Sequence, residues 1–297
     1  MSRVEEDGAG VRCAWRCETL LGEGPVWDER IGMLYFVDLK GGAVHRWQPD
    51  GEARTWPLGE VVSALALTDS PDTIHCATSA GLERLQLESG ARDLVCAPLP
   101  MAPGMRTNDG KCDALGNLWI GTMEDAEQGF AGALYRIAPG CAPELKLSDV
   151  GVSNGLGWSP DGSLFYYTDS LRRTIHRFEF DLATGALGAR SLFAEIADGA
   201  PDGLAVDSQG YVWSAIWDGW RILRYTPDGT IDRRIDLPVP RPTALAFGGG
   251  DLATLYVTTA RIGLSDAVLE AAPLSGTLLA LEPGVSGMAS HRMGLAS

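Results

Sequence analysis

The sequence predicts an all-β chain folded as a six-bladed β-propeller of four-stranded antiparallel blades. Three observations point there. A module recurs at anchors 24, 64, 110, 155, 203 and 244, at intervals of 40, 46, 45, 48 and 41 residues. Within each module, apolar and polar residues alternate over short runs divided by Gly, Pro, Asn and Asp turns, which is strand periodicity rather than helical periodicity. The six modules account for nearly the whole chain, so residues 1–297 read as a single propeller domain. Four short strands repeated every ~40–50 residues are the mark of a propeller blade. A β-sandwich, the rival all-β architecture, does not repeat four strands six times.

The elements follow in order. The first two strands of each module are visible as Gly24-Pro-Val-Trp-Asp28 with Met33-Leu-Tyr-Phe-Val-Asp38, and as Ala64-Leu-Ala-Leu-Thr-Asp69 with Thr73-Ile-His-Cys-Ala-Thr78. They return as Gly110-Lys-Cys-Asp113 with Asn117-Leu-Trp-Ile-Gly-Thr122, and as Gly155-Leu-Gly-Trp158 with Ser163-Leu-Phe-Tyr-Tyr-Thr168. The last two pairs are Gly203-Leu-Ala-Val-Asp207 with Tyr211-Val-Trp-Ser-Ala215, and Ala244-Leu-Ala-Phe247 with Thr254-Leu-Tyr-Val-Thr258. Turn residues such as Ser159-Pro-Asp-Gly162 and Asp207-Ser-Gln-Gly210 lie between the paired strands. A third alternating strand follows each pair, as in Ala43-Val-His-Arg-Trp47 and Arg221-Ile-Leu-Arg-Tyr225, and a turn such as Thr226-Pro-Asp-Gly229 leads to the fourth. The single helix candidate, Ser265 to Ala272, starts at a Ser cap and is stopped by Pro273. Ring closure is expected from the segment around Val11–Thr19 pairing with the last blade. The stretch after about residue 283 reads as a frayed tail.

Composition bounds the function. The chain has 297 residues and a formal net charge of −15, which repels phosphate backbones and anionic headgroups and so argues against nucleic-acid or membrane partners. No apolar run approaches the ~18 residues of a spanning helix. The opening MSRVEEDGAG lacks the apolar stretch of a secretory signal. Cysteines at 13, 17, 76, 96, 112 and 141 are too scattered for a disulfide framework, so reduced thiols and a cytoplasmic location are expected.

The repeat also organises the polar residues. In a propeller the innermost strand of each blade starts beside the central channel, so equivalent positions converge on one ring. The residues just before the anchors are Glu23, Ser63, Asp109, Asn154, Asp202 and Thr243. Carboxylates crowded at a channel mouth repel one another unless a cation neutralises them. Oxygen-only ligands suit Ca²⁺, Mg²⁺ or Mn²⁺ and accept Zn²⁺ and Fe²⁺. Polar residues before tight turns are also ordinary turn chemistry, and the repeat alone leaves both readings open. Arg106 and Asn108 precede the third anchor and fit either donors to a polyhydroxylated ligand or a solvated loop. Glu124, Asp125 and Glu127 follow that module's second strand on a glycine-bearing loop able to overhang the channel.

Other apparent motifs lead nowhere. Gly151-Val-Ser-Asn-Gly155 matches the nucleophile-elbow pattern, but a hairpin follows where a helix is required. Gly104 to Lys111 has the wrong spacing for a phosphate-binding loop, with Cys112 in place of Ser or Thr. Cys13 and Cys17 lack a second pair to complete a metal site. His45, His75, His176 and His291 show no metal-ligand spacing, and the first three read as partly exposed strand positions.

Four motifs in order carry a resemblance. They are Leu21-Gly-Glu-Gly-Pro-Val-Trp27, Arg106-Thr-Asn-Asp-Gly-Lys-Cys-Asp113 with Trp119-Ile-Gly-Thr-Met123, Ser153-Asn-Gly155 with Ser159-Pro-Asp-Gly162, and Pro201-Asp-Gly-Leu204. From about Cys17 to Leu281 the chain resembles the senescence marker protein/gluconolactonase/luciferin-regenerating enzyme family, which includes regucalcin. Thr258-Thr-Ala-Arg-Ile-Gly-Leu-Ser265 is similar to the bacterial sugar-lactonase branch. The family fold is a six-bladed propeller, in agreement with the repeat count. The resemblance implies Glu23, Asn154 and Asp202 as metal ligands, and Arg106 and Asn108 as the substrate-orienting pair. A further substrate contact falls on Ala126 in a gap-free alignment and on Glu127 with the spacing of the bacterial branch.

On this resemblance the chain is expected to hydrolyse a sugar lactone, such as glucono-, xylono- or arabinonolactone, to the aldonic acid. One divalent metal ion (Ca²⁺, Zn²⁺, Mn²⁺, Mg²⁺ or Fe²⁺) is the expected cofactor, and a small-molecule sugar lactone the expected partner. Asp202 is the implied general base, with metal-bound hydroxide as the alternative. Three other readings remain: a calcium-binding regulator of regucalcin type, a hydrolase of aryl esters or phosphotriesters at the same metal, and a propeller used as a protein-interaction platform.

Overall fold

Alternation along the chain becomes pleat in the structure. The computed structural model describes residues 5–6, 10–49 and 51–294, and it places nearly all of the regular structure in six sheets, antiparallel except where Glu5–Glu6 adds a short parallel edge outside Ile231–Asp236. Blade 1 is Gly22–Asp28, Met33–Asp38, Ala43–Trp47 and Ala53–Pro57, hydrogen-bonded in that order from the inside out. Blades 2 to 5 begin on the inner strands Val62–Leu67, Met105–Cys112, Ser153–Trp158 and Ala200–Val206 and repeat the same up-and-down order. Blade 6 comprises Pro242–Gly248, Thr254–Thr259, Leu278–Leu281 and, outermost, Arg12–Trp15 from the other end of the chain. The ring is therefore closed by pairing the N-terminal segment with the last blade, as the sequence predicts. Inner strands touch in the cyclic order 1-2-3-4-5-6-1 around the channel, so the protein is a six-bladed β-propeller. Among the described residues the α-helix Asp266–Ala271 stands alone, capped by Ser265, whose Oγ accepts the Val268 amide proton at 3.4 Å.

The blades pack face to face, and that packing fills the molecule with aromatic rings. Trp119, Trp213, Phe165 and Tyr256 are essentially excluded from solvent between neighbouring sheets. Two of the tryptophans are fixed by an aspartate from the preceding hairpin. Asp113 accepts the Leu115 and Asn117 amide protons and the Trp119 indole N–H, and Asp207 does the same for Gln209, Tyr211 and Trp213. The aspartates that close the second strands of blades 1 and 4 tie down backbone as well. Asp38 accepts the amides of Leu20 and Leu21 at about 2.9–3.0 Å, and Asp169 those of Gly151 and Val152, so that each pins the loop entering its inner strand.

Two expectations are corrected. His45 and His75 are buried rather than partly exposed, at 6% and 1% exposure, and His176 alone is half-buried. A strand that alternates within one sheet is covered on both faces once blades stack. His45 lies against the Trp15 and Phe36 rings, and burial pulls both imidazoles down to about 4. The stretch beyond residue 283 is not frayed over 284–294. Ser286 O accepts the Ser208 amide proton, the Gly287 amide reaches Leu252 O, and Met293, 2% exposed, donates to Leu67 O. Gly287 lies so close to Phe247 that a Cβ would come within 2.2 Å of it. Residues 295–297 lie outside the described residues.

Every inner strand carries a break in register at one equivalent place: between Glu23 and Val26, Val62 and Ala64, Thr107 and Gly110, Asn154 and Leu156, Pro201 and Leu204, and Pro242 and Leu245. Such bulges re-aim a side chain out of the ladder. The Gly and Ala anchors occur there because neighbouring blades converge. A Cβ on Gly203 would stand 2.5 Å from that of Ala244, and Gly24 has a φ of +53°.

Candidate active site

The six bulges bring the six equivalent residues to one end of the channel. Two of them complete the ring's own hydrogen bonding. Ser63 Oγ donates to Thr107 Oγ1 at 2.8 Å, and Thr243 Oγ1 donates to Gly22 O. The other four, Glu23, Asp109, Asn154 and Asp202, are buried at 4–7% exposure. Among the described residues, the backbone donors to the carboxylates come from the next residue, as with Gly24 N–H to Glu23 Oε2 at 3.3 Å and Gly110 N–H to Asp109 Oδ1 at 2.8 Å. Asp202 Oδ1 is buried with no hydrogen-bond partner.

This arrangement is electrostatically costly. Burial and the nearby Asp109 charge push Glu23 up to about 8. Burial, with Glu23, Asp109 and Glu127 behind it, holds Asp202 well above the usual carboxylate range. Asp109 is raised by burial as well, with Lys111 opposing. Charged carboxylates at this depth require a positive partner, and among the described residues no protein cation is hydrogen-bonded to Glu23 or Asp202. A divalent cation fits the orphaned Asp202 oxygen and the oxygen-only donor set of two carboxylates and the Asn154 amide carbonyl. No group of three or more His, Cys, Asp or Glu side chains poised for a metal occurs among the described residues, and the Asn154 amide carbonyl is the oxygen available beside Glu23 and Asp202.

The amide is oriented from both sides. Asn154 Nδ2 donates to Ser170 Oγ at 3.0 Å, and Ser170 in turn donates to Pro201 O at 2.6 Å. Asn108 Nδ2 donates to Asn154 Oδ1 at 3.1 Å and to Ser153 O at 2.7 Å. These bonds fix which end of Asn154 faces the carboxylates, and its carbonyl keeps a second lone pair. Arg106 comes next towards the opening. Its Nη1 donates to Asn108 Oδ1 and Thr107 O, and its Nε to Asp125 Oδ1 at 2.6 Å. Lys40 from blade 1 donates to the same Asp125 oxygen. Asp125 thus joins blade 1 to blade 3 above the mouth.

The structure brings Glu23, Asn154, Asp202, Asn108 and Arg106 into one connected group. Glu127 lies on an exposed turn at φ +56°, where it acts on Asp202 through its charge and makes no side-chain hydrogen bond among the described residues. Glu124 is folded under its own loop, against Gly129. Sequence reasoning missed Ser170 and Lys40. Each directly follows a second strand or its closing turn, where one hydroxyl or ammonium among many carries no periodic signal.

Comparison with known proteins shows the family. Residues 21–261 match the family model described as the SMP-30/gluconolactonase/LRE-like region. The chain is 37% identical over 283 residues to the 6-deoxy-6-sulfogluconolactonase of Pseudomonas putida, covering 94% of this chain and 97% of that one. It is 36% identical over 278 residues to the L-arabinolactonase of Azospirillum brasilense, covering 92% and 91%. The crystal structure of a calcium-binding protein, regucalcin, from Agrobacterium tumefaciens superposes with a TM-score of 0.91 at 29% identity, over 96% of this chain and 97% of that one.

Proposed function

The chain belongs to the SMP-30/gluconolactonase/LRE-like family, and from that premise we propose that it is a hydrolase opening the cyclic ester of a sugar lactone to the aldonic acid. One observation carries the reading: two buried, hydrogen-bond-poor carboxyls, Glu23 and Asp202, lie beneath a guanidinium and an amide aimed at the same opening. The relatives named for sulfogluconolactone and arabinolactone support it.

Glu23, Asn154 and Asp202 would hold a divalent cation, which when bound supplies Lewis acidity and neutralises the two carboxylates. Arg106 and Asn108 hold the sugar hydroxyls and fix the ring so that its carbonyl carbon faces Asp202, which contributes through positioning. The Asp202 carboxylate takes a proton from the attacking water as the water oxygen bonds to the carbonyl carbon. The ring C–O bond then breaks, its oxygen leaves as the sugar hydroxyl after regaining a proton, and the carboxylic acid remains. Arg106 is held in place by Asp125, so it can donate without reorganising.

Acid release from a panel of aldonolactones, followed by pH-stat with spontaneous hydrolysis subtracted, tests the proposal. It is run on chelated protein, then with Ca²⁺, Mg²⁺, Mn²⁺, Zn²⁺ or Fe²⁺ restored, beside Asp202→Ala and Glu23→Gln. Cation-dependent turnover lost in both variants is the expected result. No rate above background with any cation or lactone would sink it. A calcium-binding role without turnover, favoured by the likeness to a calcium-binding regucalcin, would then take its place.

A further inference from the structure

Away from the acidic ring the channel widens into a cavity of about 330 Å³, at the low end of the range for small-molecule sites. Val26, Leu65, Leu204, Val206 and Phe247 supply its walls, and none of Glu23, Asn154, Asp202, Arg106 or Asn108 reaches it. Its far end is crossed by the segment 286–293, which contributes Met288, Ser290 and His291. That strap is tied down at both ends. Ser286 and Gly287 bond to the bases of blades 5 and 6, and Met293 to the base of blade 2.

One ammonium group stands in this largely apolar wall. Lys111 Nζ donates to Leu204 O at 2.9 Å, and that is its one hydrogen bond among the described residues. Two of its three protons are left without a protein acceptor. Asp109 lines the same cavity and acts on Lys111 through charge, yet its Oδ1 is taken by the Gly110 amide and the two make no ion pair. A half-buried ammonium with spare protons in an otherwise apolar wall offers them to an acceptor that enters the cavity.

We propose that the chamber is a second binding site, taking a small monocarboxylate with an apolar body whose carboxylate accepts from Lys111. The walls decide the class. A polyhydroxylated acid would lose its water partners against Val, Leu and Phe side chains without regaining them. A dianion would bring one charge more than a lone ammonium balances. A neutral hydrocarbon would leave the Lys111 protons unmet. A monocarboxylate with a ring or short chain satisfies the ammonium and buries its body against the walls.

The test reads binding alone, so it stands whether or not the lactone reading does. 4-Fluorobenzoate is titrated into the full-length protein and followed by ¹⁹F NMR. Saturable one-site binding is expected, weakened about tenfold or more in Lys111→Met, as for loss of one charge-assisted hydrogen bond. Met288→Trp, which fills the chamber from the strap without touching Lys111, should weaken it too and serves if Lys111→Met fails to fold. Arg106→Met should leave it unchanged. No saturable binding below about 10 mM overturns the proposal. So does binding lost in Arg106→Met but kept in the two chamber variants, which would place the probe at the acidic mouth.

Discussion

Adding a divalent cation to the metal-free protein should release protons, and the structure sets how many. Glu23 rests at about 8, and Asp202 is raised for the same reasons. At pH 7 a carboxyl with such a pKa is roughly nine-tenths protonated, whereas coordination requires the carboxylate. Each ion bound at pH 7 therefore displaces about one proton from Glu23 and a further share from Asp202, while at pH 9.5 Glu23 gives up almost none. Apparent affinity should accordingly rise about tenfold per pH unit for each proton displaced between pH 6 and 8. Calorimetric titrations of Ca²⁺ or Mn²⁺ in buffers of different ionisation enthalpy count those protons directly. Stability of the metal-free protein reports the same titration. The folded-state pKa of Glu23 lies above its unfolded value of about 4.5, so the folded state binds more protons between about 4.5 and 8. Stability is then lost as pH rises through that window, relative to Glu23→Gln, and a bound cation restores it. Cation binding at pH 7 without proton release would refute the description of Glu23 as a protonated carboxyl awaiting a cation. So would a metal-free protein that gains stability over Glu23→Gln from pH 5 to 8.

Three further outcomes are expected. Asp125→Asn removes the carboxylate shared by Arg106 and Lys40, so the guanidinium loses its hold; KM for the best lactone should rise about three- to tenfold with a smaller change in kcat, read from steady-state acid release. Asp113→Ala orphans the Asn117 amide protons and the Trp119 indole N–H in a fully buried hairpin, at a cost of about 3–5 kcal/mol in urea unfolding, and a loss below ~1 kcal/mol would deny the hairpin that role. Gly203→Ala places a methyl 2.5 Å from the Ala244 Cβ, where blades 5 and 6 meet, and should destabilise by about 1–3 kcal/mol, seen as a lowered thermal midpoint.

The repeat made the blades and the ring positions legible because propeller symmetry turns sequence spacing into spatial equivalence. The repeat selects six ring positions, Glu23, Asn154 and Asp202 among them, and the family resemblance singles out those three. The supporting contacts were not legible in the same way. Ser170 matters because its hydroxyl spans from Asn154 to Pro201 O, a relation between blades 4 and 5 that no local spacing encodes. Lys40 and Asp125 are 85 residues apart and meet only because blades 1 and 3 curve round the same mouth. The histidines show the converse failure. Alternation within a strand predicts one wet face, but stacked blades dry both, and His45 and His75 are enclosed. The strap at 286–293 was hidden because its anchors are backbone amides and a close Gly287–Phe247 contact, which leave no apolar rhythm.

The six bulges bear on how such a protein can change. Each points one residue toward the channel from a place where the sheet ladder is already interrupted, so a change of side chain there leaves the pairing within its own blade intact. The six places are not equivalent in what else they hold. Ser63 and Thr243 are buried and bond across to the neighbouring blade, to Thr107 and to Gly22 O, so they belong to what keeps the ring closed. Among the described residues, Glu23 and Asp202 make no such bond across blades and belong to what the ring presents to the opening. The scaffold thereby divides one set of symmetric positions between fastening and display, and the second can drift while the first stays fixed.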